Sequence, residues 1–339
     1  MKKIVECVPN FSEGRNAGTI KAIAESIHGV DEVKLLNVEP DKDYNRTVVT
    51  FIGEPEAVVE AAFQATRTAA QLIDMEHHKG EHPRMGATDV VPFIPVSGVN
   101  MVECIRLANV FGKRVASELQ IPVYLYEAAA TSAARKNLSD IRKGEYEGLA
   151  EKLLDPHWSP DFGPAIFNKK SGATVTGARK FLIAYNVNLN TADVSIAQEI
   201  ALRIRESGRP QKDAEGKTLK NDKGETLKIP GTLKGVKAMG VLVERYNLAQ
   251  VSINLVDFEV TPPHAAFEEV KKQARSLGAD ATGSEIVGMT PLKAMVMAGQ
   301  FYTKQAASDE DRVSAAIDGL GLSQLEKFDP AKKIIEYQL

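Results

Sequence analysis

The chain has 339 residues, 43% of them hydrophobic and 26% charged, with 42 basic against 45 acidic side chains and a net charge of −3. That is the composition of a folded globular protein longer than one hydrophobic core usually serves, so two domains or subdomains are expected. The near balance of charge leaves no basic footprint for nucleic acid or an anionic membrane, and no run approaches the ~18 apolar residues of a membrane span. Cys7 and Cys104 stand far apart in apolar surroundings, in no metal-binding spacing, and read as reduced core residues of a cytoplasmic protein. Met1-Lys2-Lys3 opens like a signal peptide, but Glu6, Pro9 and Asn10 break the apolar region before it reaches a useful length.

In chain order, Ile4 to Val8 is a short apolar strand closed by the turn Pro9-Asn10. A helix follows from about Asn16 to His28, with Ile20, Ile23, Ala24 and Ile27 on one face. Val33 to Val38 and Arg46 to Ile52 are strands, separated by the turn-rich Pro40-Asp41-Lys42-Asp43. After Gly53, Val58, Ala61, Ala65, Ala69 and Leu72 recur at helical spacing. Asp155 to Gly177, rich in Pro, Gly, Ser and Asn, reads as a long ordered linker, a kind of segment that often carries function. Its Trp158 is read as a packing residue, with base stacking left open as the alternative.

The same order then returns. Phe181 to Leu189 is a strand, and Ile196, Ile200 and Ile204 mark a helix ending near Gly208. Val236 to Val243 and Gln250 to Val256 are strands joined by Glu244-Arg245-Tyr246-Asn247. A helix carrying Phe267, Val270, Ala274 and Leu277 follows Pro262-Pro263. Ser207 to Gly231 reads as an exposed hairpin insertion, and Gln324 onward as a charged helix and tail. The pattern predicts an α+β fold of two consecutive βαββα-type subdomains, each a β-sheet with helices packed on one face. The halves share the pattern and no detectable residue-level identity.

The densest chemistry lies in His77 to Asp89, H-H-K-G-E-H-P-R-M-G-A-T-D, where His77, His78 and His82 are joined by Glu81, Arg84 and Asp89. His78, Glu81 and His82 match H-x-x-E-H, a zinc motif that needs a helix to bring both rings to one metal. Gly80 and Pro83 oppose that helix, since a residue before proline is pushed out of the α region. Two readings remain: a single imidazole, best His82, used as acid or base near neutral pH, or an exposed polar loop. Gly172 to Gly177 has the glycine spacing of a phosphate loop, but Ala178 and Arg179 stand where Lys and Ser/Thr are required. Gly319-Leu-Gly321 does not continue as a dinucleotide fingerprint, so no nucleotide binding is assigned.

Four segments resemble glutamate formimidoyltransferases: V-E-C-V-P-N-F-S-E-G from Val5 to Gly14, H-K-G-E-H-P-R-M-G-A from His78 to Ala87, G-A-T-V-T-G-A-R-K-F-L from Gly172 to Leu182, and Q-V-S-I-N-L-V-D-F-E-V-T from Gln250 to Thr261. They come in the family's order and span nearly the whole chain. The resemblance implies transfer of a formimino group from N-formimino-L-glutamate to N5 of tetrahydrofolate, a cosubstrate, in histidine degradation, with no metal. It implies two α+β subdomains, 1–180 and 181–339, with a substrate groove between them, in a cytoplasmic homodimer. It also implies the transferase alone, without the cyclodeaminase fused to it in some relatives.

His82 takes the place of the family's catalytic histidine. The family's folate segment falls on Gly163, Pro164, Ala165, Ile166, Phe167, Asn168, Lys169, Lys170, Ser171 and Gly172. There Phe167 is a candidate to pack on the pterin or benzoyl ring, and Lys169 or Lys170 to pair with carboxylates. Arg84 and Arg179 are candidates for the substrate carboxylates, because a guanidinium grips a carboxylate in a fork. Glu39 stands where relatives carry Asp, one methylene shorter, which bears on donor preference. Formyl exchange between 5-formyltetrahydrofolate and glutamate, and a non-catalytic folate-binding protein, are the alternatives.

Overall fold

A computed structural model describes residues 2–338 apart from Asp43, Glu81, Ala214, Ala306 and Ala307. The chain forms two compact units, Met1–Lys180 and Phe181–Leu339.

The first unit opens with β1 (Ile4–Cys7) and β2 (Asn10–Phe11), one strand line interrupted at Pro9, which has no N–H to give to a ladder. Then come α1 (Ala17–His28), β3 (Val33–Asp41), β4 (Arg46–Gly53), α2 (Pro55–Leu72), β5 (Thr88–Ser97), α3 (Met101–Leu119) and β6 (Val123–Glu127). Two four-residue helices, α4 (Leu138–Ile141) and α5 (Leu149–Lys152), precede β7 (Thr174–Ala178). Local chemistry sets the helix starts. The Asn16 side chain accepts from Gly18 and Thr19 N–H to cap α1, and Pro55 sits in the first turn of α2, where a missing N–H is harmless.

Within this sheet β3 pairs with β4, β4 with the β1/β2 line, and that line with β5, all antiparallel. The order β3-β4-β1-β5 is that of a split βαββαβ unit, so the repeat runs one strand further than the βαββα periodicity suggested. Parallel pairing of β5 with β7 and of β7 with β6 extends the sheet. The expected linker from Asp155 to Gly177 therefore belongs to the first unit, because its end is β7, whose five residues are all buried between parallel neighbours. A strand of small and β-branched residues buried on both faces lacks the alternation that marks a strand in sequence.

Strand alternation sends Val5, Cys7, Val49, Phe51, Val91, Phe93 and Val123 to one face, where α1, α2 and α3 pack. The opposite face of the β5-β7-β6 extension is also covered. Ile141, Leu149 and Leu153 of the α4–α5 segment lie on Tyr124, Tyr126 and Val175, with Trp158 against the same cluster. Helices on one face alone thus holds for the long helices only. Trp158 is a packing residue here, its ring under Lys152 Nζ at 4.5 Å.

The second unit comprises β8 (Ile183–Leu189), α6 (Val194–Ile204), β9 (Arg209–Pro210), β10 (Lys228–Ile229), β11 (Val236–Val243), β12 (Leu248–Leu255), α7 (Pro263–Ser276), β13 (Ala281–Val287), α8 (Leu292–Tyr302), α9 (Asp309–Leu320) and α10 (Pro330–Lys333). Its antiparallel sheet, β11-β12-β8-β13, repeats the βαββαβ order of the first unit. The Ser207 to Gly231 insertion is a β9–β10 ribbon with isolated bridges Lys212–Thr218 and Lys220–Thr226. The segment read as a tail is anchored instead: Phe328, Ile334 and Ile335 are buried, and Thr290 exchanges backbone hydrogen bonds with Lys333 and Ile335.

Cys7 and Cys104 are free and buried in the first unit's core, and burial raises both thiol pKa values, that of Cys104 to about 12. The expected result is that neither reacts with a soluble thiol reagent at pH 8 in the folded protein and both react in urea, read as mass addition. No helix among the described residues is long and apolar enough to cross a membrane.

Candidate active site around His82

Among its described residues the His77 to Asp89 stretch has no helix. It is a loop that leads from α2 into the first two residues of β5, and several separate pieces of the chain hold it. Asn45, the last residue of the β3–β4 turn, takes the left-handed conformation at φ 48° and is almost fully buried. Its Oδ1 accepts from Gly14 N–H (2.9 Å), its Nδ2 donates to Lys79 O (2.9 Å), and its carbonyl accepts from His78 Nε2 (2.9 Å). Gly80 lies against this turn so closely that a Cβ there would sit 2.3 Å from Tyr44 O. At the loop's exit, Ser12 Oγ donates to Gly86 O (2.8 Å), Ala87 N–H to Ser171 O (2.9 Å), and Ala173 N–H to Met85 O (3.0 Å). The signature segments at Val5 to Gly14, His78 to Ala87 and the start of Gly172 to Leu182 are therefore stitched to one another. The fourth, Gln250 to Thr261, contains most of β12 in the second unit.

Within this frame His82 is half-buried, and its Nε2 lies 3.1 Å from Arg46 Nη1. A guanidinium has only donors, so Nε2 is the acceptor and the ring is neutral with its proton on Nδ1. Tyr44 presents its ring edge-on at 6.2 Å. Burial, then the charges of Arg46, Arg142 and Arg84, push the His82 pKa down from 6.5 to about 4, against a smaller upward pull from Asp41.

Behind His82 lies a buried ion pair. Asp89 Oδ1 accepts from Met85 N–H (2.8 Å), and Oδ2 is bonded by Arg142 Nη2. Burial raises the Asp89 pKa while Arg142 pulls it back.

Arg84 is equally engaged: Nη1 and Nη2 bond Glu147 at 2.9 and 2.7 Å, Nη1 also bonds Glu145 at 3.0 Å, and Nε donates to His78 Nδ1 at 3.3 Å. A cavity of about 440 Å³ borders this pair, lined also by Lys79, Gly80 and Gly144. His78 and His82 thus have separate partners, and burial lowers the His78 pKa as well. Among the described residues no group of three or more His, Cys, Asp or Glu is arranged to hold a metal; Glu81 lies outside those residues.

Glu39 shares the site's sheet face by register, because it pairs with Val48, which in turn pairs with Asn10. Its carboxylate accepts from Asn37 Nδ2. Arg179 lies at the other end of the strands. Its N–H bonds Phe93 O, and the chain runs four residues from Val175, level with Val90, past the end of β7 to Arg179, roughly 13 Å.

From Gly163 to Gly172, Gly163, Ala165, Ile166, Lys169 and Lys170 are exposed, Pro164, Phe167 and Asn168 are half-buried, and Ser171 and Gly172 are buried. Asn168 bonds Ser171 N–H through Oδ1 and Gly172 N–H through its carbonyl, folding the segment's end into a turn. Phe167 packs on Tyr146 at 5.2 Å, and Lys170 Nζ donates to Gln71 O (2.7 Å) at the end of α2. The Lys169 ammonium takes no partner among the described residues. Gly172 has φ 67°, and a Cβ there would sit 2.1 Å from Met85 O. Gly172→Ala is therefore expected to destabilise the first unit by about 2–4 kcal/mol, measured by urea unfolding followed through Trp158 fluorescence.

Compared with known proteins, residues 4–179 match the N-terminal subdomain of the formiminotransferase domain and residues 184–339 match the formiminotransferase domain. The chain belongs to the formiminotransferase family. It is 39% identical to a glutamate formimidoyltransferase of Streptococcus pyogenes serotype M1, over 100% of this chain and 99% of that one. It is 42% identical to one from Thermoplasma acidophilum, over 91% and 95%. To the formimidoyltransferase-cyclodeaminase of Mus musculus it is 50% identical over 99% of its own length, spanning 60% of that relative.

The residues around this loop that sequence spacing missed are Asn10, Asn45, Arg46, Arg142, Glu145 and Glu147. Arg46 left one signal: it is a charged residue opening a strand of otherwise uncharged side chains, R-T-V-V-T-F-I-G. Arg142 and the two glutamates left none, since only folding brings them to the loop.

Proposed function

We propose that the protein transfers the formimino group of N-formimino-L-glutamate to N5 of tetrahydrofolate, with His82 as general base. The observation that carries this reading is a neutral, half-buried imidazole, its proton on Nδ1 and its Nε2 accepting from Arg46, held in the loop that bears the family's signature. As N5 attacks the formimino carbon it must lose a proton, and the imidazole accepts it. Collapse of the tetrahedral centre then expels glutamate, whose nitrogen takes a proton back.

On this reading Gly163 to Gly172 contacts folate through the backbone of its exposed part. Lys169, rather than the engaged Lys170, reaches for folate carboxylates. Glu39 faces the formimino cation. Arg84 acts by holding the loop through Glu147 and His78, and Arg179 stays a candidate for a distal carboxylate. The reaction belongs to histidine degradation and one-carbon metabolism, in a cytoplasmic homodimer.

The deciding experiment supplies tetrahydrofolate with N-formimino-L-glutamate in one arm and 5-formyltetrahydrofolate with glutamate in the other, with products identified by absorbance and mass. Formimino turnover well above formyl turnover is expected. Formyl turnover alone, or folate binding without turnover in either arm, overturns the reading.

A further inference from the structure

Arg46 does more at His82 than lower its proton affinity. Its Nη1 donates to His82 Nε2, so the lone pair a base must offer is already committed to a cation. Arg84 and Arg142 are tied to Glu147 and Asp89, but Arg46 is held loosely: its second Nη1 contact, to Asn10 Oδ1, is long at 3.3 Å, and its Nε is buried with no hydrogen-bond partner. A buried guanidinium N–H left unbonded is costly unless something fills it. The Tyr44 ring, 5.8 Å from the guanidinium carbon, offers a neighbouring resting place for the cation.

We propose that Arg46 is a substrate-operated latch: in the resting protein it caps His82 Nε2, and a carboxylate of the amino-acid substrate docks on its Nε and Nη, draws the guanidinium aside and uncovers the base. The proposal rests on the donor being a glutamate derivative, as in the reading above. A fork of two parallel N–H groups is the geometry a carboxylate matches, and the unbonded Nε is half of that fork.

The charges facing His82 favour the same event. Arg46 from β4, Arg142 beyond α4 and Arg84 from its own loop all oppose protonation, while Asp41 at the end of β3 favours it more weakly. A carboxylate on Arg46 cancels one of these positive charges, so the step that frees Nε2 also strengthens it as a base. An imidazole uncovered only when the donor is seated has little chance to act on water.

The test follows both His82 ring nitrogens by long-range ¹H–¹⁵N NMR in the full chain labelled at histidine, titrated with L-glutamate and with N-formimino-L-glutamate. Expected is a resting ring protonated on Nδ1 with a hydrogen-bonded Nε2, moving on saturation to an unbonded Nε2 with a raised pKa. In Arg46→Gln the unbonded signal is expected without ligand, with KM for the donor raised about 10- to 100-fold and tetrahydrofolate affinity unchanged. Arg46→Lys keeps the charge without the fork and is expected to recover little of that loss.

An Nε2 signal that stays put at saturating ligand overturns the latch, as does absence of glutamate binding, or equal weakening of donor and folate by Arg46→Gln. If the wild type shows no formimino turnover, the proposed reaction fails. The L-glutamate titration then still judges the latch by itself.

Discussion

His82→Gln lowers kcat for formimino transfer by ~10²–10⁴-fold, the usual contribution of a positioned base, while tetrahydrofolate still binds. Glutamine is the informative replacement because its Oε1 falls near the position of Nε2 and still accepts from Arg46, so the loop keeps its hydrogen bond and loses only a group that can take a proton. A replacement that kept most of the rate would remove His82 from the chemistry. In the wild type, kcat/KM is expected to stay level as pH falls from neutrality and to drop only as the free enzyme's imidazole protonates, near pH 4. If a bound carboxylate relieves the field of Arg46, the limb in kcat lies at higher pH than the limb in kcat/KM, since kcat reports the complex. The sign of the stability effect follows from the same shift. Unfolded, His82 binds its proton near 6.5; folded, only near 4, so its contribution is complete above 6.5 and falls away as pH drops toward 4.

The strands and helices of regular period were legible in the sequence. Ile23 and Ile27 of α1 and Val58, Ala61, Ala65 and Ala69 of α2 are buried as their spacing predicted, and Val236 to Val243 is a strand with those bounds. The β5–α3–β6 extension and β7 were not. β5 reads T-D-V-V-P-F-I-P-V-S, with two prolines and no alternation, because both its faces are covered. The site divides in the same way. His82 and the cluster around it stand out as adjacent titratable residues in one loop, and Asp89 was among them. Burial lowers the imidazole's proton affinity most, and the next charges, Arg46 and Arg142, come from β4 and from the segment beyond α4, 36 and 60 residues away in either direction, through contacts that only the fold creates. The sequence offered Arg84 and Arg179 as carboxylate grips on residue type alone. In the structure Arg84 is spent on Glu145 and Glu147, whereas Arg46, beside His82, has a buried Nε without a hydrogen-bond partner, as do Arg135 and Arg142.

Asp89→Asn is expected to lower the stability of the first unit by about 3–5 kcal/mol, the cost of leaving one member of a buried ion pair without the other. Asparagine fills the same volume and can still accept from Met85 N–H, so a cavity does not explain the loss. Its amide either turns a donor toward Arg142 or gives up the Met85 bond, and the guanidinium keeps its charge at any working pH. Arg142→Gln is expected to cost less. The carboxylate it abandons has a pKa already raised by burial and can take up a proton, whereas arginine has no such escape. Combining the two substitutions should therefore recover part of the loss from Asp89→Asn, a coupling that a double-mutant cycle reads directly. The lone Trp158 packs in this unit on the cluster that includes Ile141, next to Arg142, so its fluorescence in urea follows the unit concerned. Asp89→Asn and Arg142→Gln losing equal stability, with no recovery in the pair, would mean that the Met85 bond rather than the ion pair holds the loop. Arg142 also faces His82, so Arg142→Gln should raise the imidazole's pKa while sparing its contact with Arg46. The same buried pair thus fixes the loop that carries the base and helps to keep that base neutral.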